Sequence, residues 1–165
     1  MVLKNISVLA ISFFLFGFSH DAHLEKKIQK VLSKTFENKI FVKEEMAVNQ
    51  KSENESWFGI TEKSSKKNLG IVSVNSAIGR FDKFDFMVVF NPNKSIKTVK
   101  VLIYREDHGG EIGSKRWLKQ FEGKTPKDAN NLTQDIDGIS GATMSCDAII
   151  KEIQKSLITI RNISK

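Results

Sequence analysis

The residues best suited to chemistry lie in DGISGATMSC, Asp137 to Cys146, directly before a helical run. Asp137-Gly138 is a turn pair. Gly141 and Ala142 remove side-chain bulk beside Thr143, so a large group or a second protein could approach the backbone there. Thr143 offers a hydroxyl at a helix start, where the first backbone N–H groups lack intrahelical partners. The macrodipole is positive at that end, and such a terminus accommodates a phosphate. A phosphoester on Thr143 would therefore be well placed electrostatically. The same residues also read as an ordinary helix start, with Ser140 or Thr143 as the N-cap. One helix start can serve both roles, and the segment alone leaves both open.

A second cluster is EDHGGEIGSKRW, Glu106 to Trp117. It combines acids, a histidine and glycines in one loop. Cys146, the single cysteine, has no partner for an internal disulfide. A position in the first turn of a helix could lower its pKa, but a small packed hydrophobe is the better reading.

The elements that must position these residues follow from periodicity. HLEKKIQKVLSKTF, His23 to Phe36, places Leu24, Ile28, Val31, Leu32 and Phe36 at helical spacing. Ile40 to Glu44 reads as a short strand, Asn49 to Ser56 as a loop, and Trp57 to Lys63 and Ile71 to Ala77 as strands. Phe84, Phe86, Val88 and Phe90 alternate with Asp85, Met87 and Val89, which predicts a strand with one strongly buried face. NPNKS, Asn91 to Ser95, is a turn, and Ile96 to Ile103 resumes the alternation. These two runs predict an antiparallel hairpin. Trp117, Leu118 and Phe121 mark a short helix stopped by Gly123. Lys124 to Gln134 reads as a polar loop, and Thr143 to about Ile160 as a helix. The order predicts a single α+β domain over residues 23–160. Its twisted antiparallel sheet is packed by an N-terminal helix, a short helix and a C-terminal helix.

Over 70–157 the pattern resembles the FMN-binding domain of exported bacterial flavoproteins. That family includes the flavin-carrying subunits of Na+-translocating NADH:quinone and Rnf-type oxidoreductases. The resemblance rests on Asp137, Ser140, Gly141, Ala142 and Thr143, matching an Asp-x-x-Ser/Thr-Gly-Ala-Thr/Ser motif. It also rests on the β-hairpin, the acidic glycine-bearing loop and the WLKQFEGK helix. It implies FMN joined to Thr143 by a phosphoester, with Asp137, Gly138, Ser140, Gly141 and Ala142 around it. It also implies a separate flavin transferase using FAD as donor. Gly109 and Gly110, with Gly113, would let the backbone approach the flavin. Glu106 and Glu111 would accept hydrogen bonds from ribityl hydroxyls. His108 would donate to reduced flavin, and Trp117 would stack on the ring or pack beneath it, core packing being favoured. The loop lacks the proline of the commoner Glu-Thr-Pro-Gly-x-Gly form.

The remaining composition bounds the function class. Lys4 followed by the uncharged run Ile6 to Ser19 predicts a signal peptide over residues 1–19, with an uncleaved membrane anchor as the alternative. Export to the periplasm or cell envelope follows either way. Without that segment the chain has 25 Lys/Arg against 19 Asp/Glu, in scattered clusters, so no nucleic-acid partner is expected. His20 and His23 at the signal junction give His108 no third ligand, and no metal site is expected. P-loop, dinucleotide and hydrolase signatures are absent. The reading is thus an electron-transfer component served by a partner protein, rather than a stand-alone enzyme. A non-redox or reversible FMN-binding envelope module is the alternative.

Overall fold

The computed structural model describes residues 22–49, 51 and 55–163. The signal-peptide reading, 1–19, lies outside the described residues. Among those residues no helix is long and apolar enough to cross a membrane.

Helix α1 spans Ala22–Thr35. Five strands follow: β1 Phe41–Glu45, β2 Glu55–Glu62, β3 Asn68–Ile78, β4 Lys83–Phe90 and β5 Ile96–Ile103. They form one antiparallel meander in sequence order. Strand β2 starts at Glu55, so the last two residues of the expected loop belong to the sheet. The Asn91–Ser95 turn closes with the Asn91 N–H donating to the Ser95 carbonyl at 2.8 Å. Helix α2 covers Lys115–Leu118, α3 Leu132–Asp135 and α4 Thr143–Asn162. The α+β architecture is the expected one.

The sheet is covered on both faces. On one, Phe84, Phe86, Val88 and Phe90 of β4 pack with Trp57, the α2 residues Trp117 and Leu118, and Ile149, Ile153, Leu157 and Ile160 of α4. On the other, Met87 and Val89 of β4 pack with Phe58, Ile60, Val72 and Val74 against Ile28, Leu32 and Phe36 of α1. The expectation of one strongly buried face on β4 is therefore corrected. Alternation assigns side chains to two faces, but it does not reveal a helix from the far end of the chain covering the second. Lys124 to Gln134 is also more than a polar loop. It contains a 3-10 turn at Ala129–Asn131 and the start of α3, and Ala129 and Leu132 are fully buried.

This framework brings three distant segments to one end of the sheet. They are the β3–β4 turn, residues 79–82, the chain leaving β5, residues 104–109, and the start of α4.

Candidate functional site

These segments enclose a cleft of about 710 Å³, within the range of roughly 300–1,000 Å³ usual for small-molecule sites. Gly141, Ala142, Thr143, Met144 and Ser145 form one wall; Tyr104, Glu106, His108 and Gly109 are among the residues of another. Arg80, Phe81 and Asp82 form the rim.

Thr143 is the first residue of α4 and is exposed. The helix is capped by Ala142, at φ −126° and ψ 22°, with no side-chain hydrogen bond to the first turn. Neither Ser140 nor Thr143 acts as the N-cap, so that expectation is corrected. Gly141 immediately before it is in the left-handed region, φ 83°, where a side chain would be strained. The N–H of Cys146 donates to the Ala142 carbonyl at 2.9 Å and opens the helical ladder. The amides of Thr143, Met144 and Ser145 precede it, with the positive end of a 20-residue helix behind them.

The helix start is tied to β5 by side chains. The Tyr104 hydroxyl donates to the His108 carbonyl at 2.8 Å and lies 3.2 Å from Ser145 Oγ. Gly109, φ 82°, lets its loop pass close to the Tyr104 hydroxyl and Ala142. A side chain there would be strained by the backbone and obstructed by both neighbours. His108 is exposed and lines the cleft. Gly110 and Glu111 begin a 3-10 turn, Gly110–Gly113, and do not line it.

Glu106 lines the cleft, but one oxygen has a structural task. Its Oε1 accepts the N–H of Phe81 at 3.0 Å and of Asp82 at 3.2 Å. The Phe81 amide, then those of Asp82 and Arg80 and the Arg80 guanidinium, hold its carboxyl below the usual carboxylate range against the opposing effect of burial. Arg105 also borders the cleft, but its guanidinium is engaged with Asp85 Oδ2 at 2.5 Å and the Lys83 carbonyl at 2.9 Å.

Trp117 is buried, packed edge-on against Phe121 with ring centroids 5.3 Å apart. Its Nε1 donates to the Asp137 carbonyl at 2.6 Å, and the Asp137 N–H donates to Gln120 Oε1 at 3.0 Å. Trp117 and Gln120 thus anchor the start of DGISGAT from below. Asp137, Gly138 and Ser140 are exposed and lie outside the cleft lining. Cys146 is 1% exposed, and burial pushes its thiol up despite the helix start. It is the packed hydrophobe that the sequence suggests.

Residues 79–158 match the family model of the FMN-binding domain. The chain carries a domain of that family. No curated protein matches it. The FMN-binding domain begins at the Gly79 turn and ends within α4, so its boundaries enclose every segment of the cleft. The residues present fit FMN at both ends. The α4 terminus and the Thr143 hydroxyl suit a phosphate, while Phe81 and Met144 suit a flat ring. Sequence reading missed Arg80, Phe81, Tyr104, Met144 and Ser145. Phe81 carried one signal, an aromatic inside a Gly-Arg-Phe-Asp turn, where a strand core has no use for it.

Proposed function

We propose that this protein is an exported flavoprotein carrying FMN on Thr143 and serving in electron transfer. The observation that carries the reading is the Thr143 hydroxyl itself, exposed at the first position of α4, lining the cleft and not used as a cap. A separate flavin transferase would use FAD as the FMN donor. The Thr143 Oγ–P bond forms, the pyrophosphate P–O bond breaks, AMP leaves, and the hydroxyl proton passes to solvent. When bound, the flavin supplies the redox chemistry. The chain's own residues tether and orient it: the amides of the first α4 turn receive the phosphate, and Tyr104 with Ser145 fixes that turn against β5. Lys4 and the uncharged run Ile6 to Ser19 support export, which would put the protein in the periplasm or envelope. Tethering keeps the flavin from diffusing away there. The net positive charge suits an acidic redox partner.

Thr143→Ala and Ser140→Ala, each co-expressed with a flavin transferase and run under denaturing conditions, test the assignment. Flavin fluorescence should be lost in the first variant and kept in the second. Retained covalent flavin in Thr143→Ala would overturn it.

A further inference from the structure

The β3–β4 turn holds a large aromatic where the core does not use it. Phe81 is 80% exposed, more than Ile78 at 74% or Met144 at 56%. Such exposure forgoes the benefit of burial, yet the segment is firmly held. Phe81 and Asp82 both donate their N–H groups to Glu106 Oε1. The Gly79 N–H donates to the Asp82 carbonyl at 2.9 Å. Gly79 is buried against the Glu106 carboxylate and Ser145, where an added Cβ would come within 2.8 Å of Ser145 Oγ. The Arg80 guanidinium lies 4.9 Å from the Phe81 ring centroid, over one face.

The held aromatic shares a cleft with Thr143. Met144, next to Thr143 in the chain, adds the second exposed apolar group. Trp117, the aromatic that the sequence offered for a flavin ring, is only 5% exposed and committed to the Asp137 carbonyl. Tyr104 is tied through its hydroxyl and packs on Phe84 at 5.6 Å. Among the described residues that line the cleft, Phe81 is therefore the exposed phenyl ring, with Arg80 over one face.

We propose that Phe81 is the stacking platform for the isoalloxazine ring of Thr143-linked FMN. Met144 is its apolar companion, and Arg80 and Glu106 hold the platform in place. The inference rests on the attachment reading above. A tethered planar ring has many orientations, and a rigid aromatic opposite the tether selects among them by offset stacking.

Flavin fluorescence tests this, because an indole in contact with flavin quenches it. Phe81→Trp and Ile78→Trp both replace exposed residues, and Ile78 does not line the cleft. Wild type and both variants are co-expressed with a flavin transferase and weighed intact. All three should gain the flavin mass. Fluorescence should fall severalfold in Phe81→Trp and stay near wild type in Ile78→Trp. Phe81→Ala should raise quenching by iodide severalfold, as the ring becomes more open to solvent. Full flavin mass with unchanged fluorescence in Phe81→Trp would overturn the platform while leaving the attachment intact. No mass gain in wild type, beside a modified control protein, would overturn the attachment and the platform with it.

Discussion

Replacing Trp117 by Phe separates two roles for this residue. In the structure the indole is a strut. It is 5% exposed, packs on Phe121, and donates from Nε1 to the Asp137 carbonyl. The change removes that hydrogen bond, a loss of about 0.5–1.5 kcal/mol net, with more if the carbonyl is left dry. It also removes part of a large buried ring; full truncation to Ala costs about 3–5 kcal/mol, so Phe should lose roughly a third of that. The total is about 2–3 kcal/mol. For a domain of this size each kcal/mol lowers Tm by roughly 2–4 °C, so a fall of about 4–12 °C is expected. Circular dichroism melts of the unmodified protein measure it. Flavin attachment should slow, because the Asp137 end of the motif loses its anchor, while the visible spectrum of the attached flavin should not shift. A destabilisation below about 0.5 kcal/mol, in the range of an ordinary surface substitution, together with a shifted flavin spectrum, would refute the strut and place the indole on the ring.

Other expectations follow from the same geometry. The folded Glu106 carboxyl titrates below its ordinary value of 4.5. Its hold on the β3–β4 turn is therefore fully present above that value and is lost as pH falls through the lower folded one. The Phe81 and Asp82 amide NMR shifts should titrate with a midpoint below 4.5, and Glu106→Gln should abolish the transition; a midpoint at or above the ordinary value contradicts the hold. Ser156 donates to Glu55 Oε1 at 3.0 Å in a buried network, so Ser156→Ala should cost about 1–3 kcal/mol in urea unfolding. An unchanged midpoint would show that the carboxylate does not need that donor. Cys146, buried with a raised thiol pKa, should react with a thiol reagent at pH 8 only as fast as the protein opens. Labelling at the rate of a free thiol would contradict its burial.

Much of this architecture was legible because it depends on local pattern. The two-residue period of Phe84 to Phe90, the Asn-Pro turn and the three-four spacing after Thr143 each specify an element within a few residues. Met87 and Val89 were misread as a lesser face because their partners, Ile28 and Leu32, lie more than 50 positions away. Ala129 and Leu132 were hidden in a polar stretch because single helical turns are too short to show a period. The site divides in the same way. Thr143 and its small neighbours stand together in one motif. Tyr104, Ser145, Gly79 and Phe81 meet only when the meander and α4 bring their segments to one end of the sheet. The charge of Glu106 is visible in sequence, whereas the two amides that occupy its Oε1 are not. Trp117 reads in sequence as core more readily than as a ring partner, and the bond from its Nε1 to the Asp137 carbonyl accords with the core.

The proposed function depends on one bond, between Thr143 Oγ and the FMN phosphorus. Intact mass of the protein, co-expressed with a flavin transferase and fully denatured, followed by peptide mapping, reads that bond out. The expected result is a gain of one FMN less water, confined to the peptide that contains Thr143 and localised to that residue on fragmentation. An unmodified mass beside a modified control, or a label on Ser140 or Ser145, would contradict it.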